Sequence, residues 1–134
     1  PALANKPLCV VLNDECLIDS SNLLFQHKTT SPSTRGLYAK QIEKISHLGV
    51  DECLFFNENG ALTEGAKTNV FLLKEGKWTT PTLTCGVLPG VMRKQIMQEK
   101  QVLASVISRQ TVLDADEIWL SNAIIGFQRA RLLL

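Results

Sequence analysis

The alternation of apolar and polar positions divides the chain into short strands separated by turn residues. Apolar runs predict strands over 9–12, 52–56, 69–73, 78–80, 102–108 and 117–120, with a short rung at Leu62 and a mixed segment over 17–25. Asn59-Gly60 and Glu75-Gly76 are typical of tight turns. The middle of the chain is therefore predicted to form a meander of short strands.

Two segments instead have the spacing of amphipathic helices. The first begins at Ser33, an N-cap residue, and ends at Gly49, with apolar positions at Tyr38, Ile42, Ile45 and Leu48. The second is predicted from Leu88-Pro89-Gly90 to about Lys100, with Val91, Ile96 and Met97 facing inward. Strands mixed with helices indicate the α/β class. Residues 1–7, which carry two prolines and no periodicity, are predicted to be a linker before a domain over 8–134.

Composition and charge then exclude several classes of function. The 134 residues fit one domain, and 14 Lys and Arg against 13 Asp and Glu argue against a basic face for nucleic acid or a membrane surface. No apolar run approaches the roughly 20 residues of a bilayer span. The four cysteines form no C-x-x-C pair, and the two histidines show no metal-ligand spacing. We expect a soluble, cytoplasmic protein with no metal site.

Four features could carry chemistry. They are Lys28 in the loop HKTT, Glu64 at a break between apolar segments, the run GVLPGVMR at a predicted helix start, and Ser121, Asn122 and Ala123 after the strand EIWL. A helix start offers unpaired N–H groups and suits a phosphate. On spacing alone, Lys28 is more simply explained as surface charge and Glu64 as a turn residue, whereas GVLPG fits a plain junction as well as a phosphate site.

Taken together and in this order, HKTT, FFNENGALTEGAKTNVFLL, TPTLTCGVLPGVMR and ADEIWLSNAIIG resemble the fold-type IV pyridoxal-phosphate enzymes, the class IV aminotransferase family. The resemblance runs from about Leu8 to the end of the chain. It implies the large C-terminal domain of the D-amino acid aminotransferase-like fold, a barrel-like mixed sheet with flanking helices. It also implies pyridoxal 5'-phosphate as the cofactor and a small-molecule amino substrate.

The resemblance also assigns roles to individual residues. Lys28 matches the lysine that holds the cofactor covalently and moves the proton at the substrate α-carbon, and Glu64 matches the acidic partner of the pyridine nitrogen. Arg93 is either part of a structural ion pair or of the site. The remaining matches concern the cofactor ring, its phosphate and its hydroxyl: Leu88 under the ring, the amides of Val91 and Met92 and the turn at Asn122 and Ala123 at the phosphate, and Arg35 and Tyr38 near the hydroxyl.

Members of the family include branched-chain and D-amino acid aminotransferases and aminodeoxychorismate lyase, which releases pyruvate and leaves 4-aminobenzoate. The HKTT loop, together with Met92 where aminotransferases commonly have a hydroxyl residue, favours the lyase. A transaminase and a non-catalytic remnant acting in dimerisation or interaction are the alternatives.

The resemblance also implies a homodimer and a smaller N-terminal domain that contributes a phosphate-binding arginine. We therefore expect this chain to be a fragment of a longer protein or of a protein fused to a synthase. We also expect the 134-residue chain by itself to bind the cofactor weakly.

Overall fold

A computed structural model of the chain describes residues 6–13, 49–85, 87 and 90–133. The first predicted helix and the mixed segment over 17–25 lie outside these residues. Eight strands form one sheet in the described part of the chain: β1 (Leu8–Leu12), β2 (Glu52–Phe56), β3 (Leu62–Gly65), β4 (Asn69–Lys74), β5 (Lys77–Pro81), β6 (Leu103–Ser105), β7 (Glu117–Asn122) and β8 (Gly126–Leu132). Two helices accompany them, α1 (Val91–Lys100) and α2 (Arg109–Asp114).

The sheet is mixed and curls until its two ends meet. Its strand order is β3-β2-β1-β8-β7-β4-β5-β6, with β1 parallel to both β2 and β8, and β5 parallel to β6. The backbone N–H of Leu62 in β3 donates to the carbonyl of Ile107 just after β6, at 2.7 Å, and Ala61 forms an antiparallel bridge to Ser108. The predicted barrel-like mixed sheet with flanking helices is confirmed.

The core fills the inside of this curled sheet. On β4 and β7, every second residue faces inward because side chains alternate along a strand. The buried residues of the core are Val10, Leu54, Phe56, Leu62, Val70, Leu72, Ile107, Val112, Ile118, Leu120 and Ala130. Residues of the opposite parity therefore lie on the outer face, where Trp119 stacks on Phe127 at 4.6 Å between ring centroids.

Helix α1 contacts β7, and its C-terminal end lies beside the aromatic side chains of the outer face. The Lys100 ammonium at its C-terminal end lies 5.4 Å from the centroids of both the Trp78 and Phe127 rings. The helix buries Arg93 and Ile96. The prediction that Val91 faces inward is wrong: Val91 is 77% exposed, because this first helical residue projects from the end of the helix.

Two further predictions differ from the structure. The segment 102–108 is a strand only over Leu103–Ser105 and is not a buried one, since Leu103 is exposed and β6 pairs only with β5. Helix α2 was not predicted from the sequence, although Ser108 caps its start by accepting a hydrogen bond from the Thr111 N–H at 3.2 Å. Strand β8 was not predicted either. Within the described ranges, no helix is long and apolar enough to cross a membrane.

An exposed carboxylate, Asp116, braces the tight turn between β4 and β5. It accepts from the Glu75 N–H at 2.9 Å and lies 3.6 Å from the Lys74 ammonium. The Glu75 hydrogen bond, helped by Lys74, lowers the pKa of Asp116. Since the folded pKa is the lower one, this stabilisation is present above the unfolded pKa and is lost as pH falls through the folded pKa.

We therefore expect Asp116→Asn to lower the melting temperature slightly at pH 7 and to lose this effect in acid, as the pH falls through the folded pKa of Asp116. Melting curves of the two proteins across this pH range provide the measurement. A difference that persists unchanged at the acidic end would contradict the assignment.

Candidate active site

The ends of three strands meet at one edge of the sheet. Strand β3 ends at Glu64 and Gly65, and a tight turn, in which the Gly65 N–H donates to the Thr68 carbonyl at 2.9 Å, leads into β4. Asn69 at the start of β4 pairs with Ser121 near the end of β7. The last residues of β3 and β7 and the first residue of β4 therefore lie together.

Glu64 is buried at this edge, with 3% of its surface exposed. The charge of Glu64 acts on the Arg93 guanidinium in the first turn of α1. Burial lowers the pKa of the Arg93 guanidinium, and the negative charge of Glu64 opposes that shift. The same guanidinium donates to the Pro81 carbonyl at 2.9 Å. The Arg93 side chain is therefore held at Pro81 by a hydrogen bond and lies within the electrostatic range of Glu64.

Two buried polar atoms beside Glu64 have no hydrogen-bond partner in the described part of the chain. They are the Arg93 Nε and the Ser121 Oγ. Ser121 has no exposed surface at all. A buried donor without a partner costs free energy, so such atoms commonly mark a place where a ligand or water completes the bonding.

The N-terminus of α1 is directed toward the same region. The N-cap residue Gly90 has no side chain that could satisfy the first amides, which include those of Val91 and Met92. Gly90 also packs against Asn69, because a Cβ atom at position 90 would lie 2.8 Å from the Asn69 Oδ1. The helix start is thus held next to β4, with its positive dipole end available to an anion.

The Asn122 side chain builds the turn that follows β7. Its Oδ1 accepts from the N–H groups of Ile124 and Ile125 at 2.9 and 2.8 Å, and its Nδ2 donates to the Lys67 carbonyl at 3.0 Å. The side chain is therefore used within the protein, and Ala123 next to it is exposed. The role of these two residues at a phosphate stays a prediction.

The structure brings together Glu64, Val91, Met92 and Asn122 from three distant parts of the sequence. The predicted site residues Lys28, Arg35 and Leu88 lie outside the described residues. Sequence reasoning missed Glu52 and Asn69 as parts of this region. A charged residue directly before the apolar run CLFF was the available signal for Glu52.

This arrangement fits the chemistry of a phosphorylated pyridine. Glu64 is a buried carboxylate that can hold a ring nitrogen in its protonated form, and the start of α1 can bind a phosphate. Among the described residues, none is a hydrogen-bond partner of the Ser121 hydroxyl. Within the described ranges, no group of three or more His, Cys, Asp and Glu side chains could hold a metal ion. The residues present therefore fit the cofactor that the resemblance implies.

Comparison with known proteins covers nearly the whole chain. The family model for amino-transferase class IV matches residues 1–133. The aminodeoxychorismate lyase of Bacillus subtilis is 33% identical over 94 residues, which are 66% of this chain and 31% of that protein. The branched-chain-amino-acid aminotransferase of Escherichia coli K12 is 35% identical over 79 residues, 55% of this chain and 26% of that protein.

The fold is also found in solved structures. The structure of a branched-chain amino acid aminotransferase from Escherichia coli superimposes with a TM-score of 0.82 at 22% identity. The superposition covers 94% of this chain and 44% of that one. Each match therefore spans less than half of the relative's own length.

Proposed function

Because the chain belongs to the class IV aminotransferase family, whose members are pyridoxal-phosphate-dependent enzymes, we propose that it forms the cofactor-binding part of such an enzyme. The observation that carries the proposal is the buried Glu64 carboxylate at the strand edge where, within the described residues, the Arg93 Nε and the Ser121 Oγ have no hydrogen-bond partner. Such an edge offers a negative charge to a ring nitrogen and polar atoms to a ligand.

Each residue then has a separate task. When bound, pyridoxal phosphate supplies an electron sink for the negative charge that develops at a substrate α-carbon. Glu64 would keep the proton on the ring nitrogen, and the guanidinium of Arg93 lies within the electrostatic range of this carboxylate. The amides at the start of α1, at Val91 and Met92, bind the phosphate. The family resemblance assigns to Lys28 the task of holding the cofactor and moving the α-proton, and to Leu88 a place at the face of the ring.

For the reaction, we propose release of pyruvate from 4-amino-4-deoxychorismate, which leaves 4-aminobenzoate. Met92 supports the lyase, because this half-buried residue in the first turn of α1 brings no hydroxyl to the phosphate end. The match to the lyase relative also extends over more residues than the match to the Escherichia coli aminotransferase. Transamination is the second candidate, supported by the 35% identity to that aminotransferase.

The cofactor proposal is tested on the longest natural polypeptide that contains these residues. We expect pyridoxal phosphate to produce a visible absorption band and borohydride to fix it to one lysine, which peptide mass mapping identifies as Lys28. Lys67, an exposed lysine beside the site, serves as the internal control and is expected to stay unmodified. No adduct, or equal labelling of both lysines, would overturn the proposal.

The reaction is tested on the same protein with two assays. Pyruvate formed from 4-amino-4-deoxychorismate without an added keto acid supports the lyase. Amino transfer from a branched-chain or D-amino acid to 2-oxoglutarate or pyruvate supports the second candidate. A protein that carries the adduct on Lys28 but performs neither reaction would contradict both.

A further inference from the structure

A second buried carboxylate, Glu52, lies next to the proposed site and has no part in the roles above. Only 2% of Glu52 is exposed, and the residue begins β2, the strand that pairs with β3. Its position at the head of an apolar strand is costly for a charge unless the carboxylate is well hydrogen-bonded.

The Glu52 carboxylate accepts four hydrogen bonds, each 2.9 Å long. Its Oε1 accepts from the N–H groups of Cys53 and Ala66, and its Oε2 accepts from the Lys67 N–H and the Thr68 hydroxyl. Three of the four donors belong to residues 66–68, the turn that follows Glu64 and Gly65. The carboxylate thus replaces the hydrogen bonds that this turn lacks within itself.

The same turn is in contact with the end of β7. The carbonyl of Lys67 accepts from the Asn122 Nδ2 at 3.0 Å, while the Asn122 Oδ1 holds the amides of Ile124 and Ile125. A continuous series of hydrogen bonds therefore runs from Glu52 through Lys67 to Asn122 and the turn after it. The 66–68 turn follows Glu64, the proposed partner of the ring nitrogen. The turn after β7 contains the residues proposed to lie at the phosphate.

We propose that Glu52 is a positioning residue, whose carboxylate holds the 66–68 turn against Asn122 and so sets the spacing between Glu64 and the turn after β7. The inference rests on the proposed function for the identity of the ligand, pyridoxal phosphate. Glu52 itself touches neither the ligand nor the reacting atoms. It acts through Lys67 and Asn122.

Glu52→Gln tests the proposal because glutamine keeps the size of the side chain but replaces one acceptor oxygen by an NH₂ group. Whichever oxygen is replaced, the NH₂ group faces a backbone N–H, of Lys67 or of Ala66, that it cannot accept from. We expect the dissociation constant of pyridoxal phosphate, measured by visible absorbance on the full-length protein, to rise about tenfold. Glu99→Gln removes the same charge from an exposed position on α1 and is expected to change nothing.

Amide hydrogen exchange of the cofactor-free protein separates positioning from general stability. In Glu52→Gln we expect faster exchange in peptides over 65–68 and 122–125 and unchanged exchange over β4 and β5. Faster exchange throughout the sheet, or an unchanged dissociation constant, would overturn the inference. If the wild-type protein binds no pyridoxal phosphate, the proposed function fails, and the exchange comparison still tests the link between the two turns.

A less disruptive pair of variants tests the same proposal if Glu52→Gln does not fold. Thr68→Ala removes one of the four donors, whereas Thr68→Ser keeps the hydroxyl. We expect Thr68→Ala to weaken cofactor binding by a smaller factor and Thr68→Ser to restore wild-type binding. Equal binding by the two variants would contradict the role of the carboxylate.

Discussion

Glu64→Gln is expected to lower kcat of the full-length protein by roughly 10²- to 10³-fold, the usual effect of removing one preorganised electrostatic contact. Glutamine fills the same space in β3 but is neutral, so it cannot favour the protonated form of a ring nitrogen. Steady-state kinetics of pyruvate release or transamination provides the measurement. An effect below threefold would contradict the assignment of Glu64.

The same substitution should also destabilise the cofactor-free protein, because it leaves the buried Arg93 charge without its opposite charge. The double variant Glu64→Gln/Arg93→Met removes both charges and should recover part of the lost melting temperature without recovering kcat. This combination separates the structural role of the pair from its chemical role. Recovery of kcat in the double variant would show that Glu64 acts only through stability.

Glu64 became a candidate because of a local motif, and the structure adds what a motif cannot contain. The run LTEGAKTNVF places a carboxylate before a glycine. Its burial depends on β2 and α1, which begin 12 positions before Glu64 and 27 positions after it. Arg93 was left open between a structural and a functional role for the same reason. Its electrostatic partner became visible only once α1 was placed against the sheet.

Two of the strands that were predicted correctly, β2 and β4, are buried on both faces over most of their length. All five residues of β2 are buried, and so are the first four of β4, so their sequences are continuous apolar runs. Strand β8 reads GFQRARL and has only one fully buried residue, Ala130. It is a strand because it pairs with β1 and β7 along its length. Pairing between distant segments leaves no local signature in such a sequence.

Glu52 was missed because its hydrogen bonds are made to residues 66–68, fourteen to sixteen positions later. A carboxylate before an apolar run is most simply interpreted as a charged residue at the start of a strand. The turn it supports gives a further prediction, because the turn leaves no space at Gly65.

Gly65→Ala is expected to destabilise the protein by about 1–3 kcal/mol, or roughly 3–10 °C in melting temperature. A Cβ atom at position 65 would lie 2.5 Å from the Thr68 Oγ1 and 2.6 Å from the Glu52 Oε2. The Glu52 carboxylate cannot retreat without losing donors from the turn. Because Glu64 precedes this position, cofactor binding should weaken along with stability. Thermal melting and visible absorbance of the full-length protein measure the two effects.

The double variant Gly65→Ala/Thr68→Ala identifies which contact is responsible. Removing the Thr68 hydroxyl relieves the shortest contact and gives the Glu52 carboxylate room to move, so the two substitutions together should cost less than the sum of their separate effects. Additive effects would mean that the Thr68 hydroxyl is not the contact that excludes a Cβ atom at position 65. If glycine is required only for packing, the Glu52 carboxylate and the turn after Glu64 pack around position 65 as one unit. Any larger residue at position 65 would then displace this unit and shift Glu64.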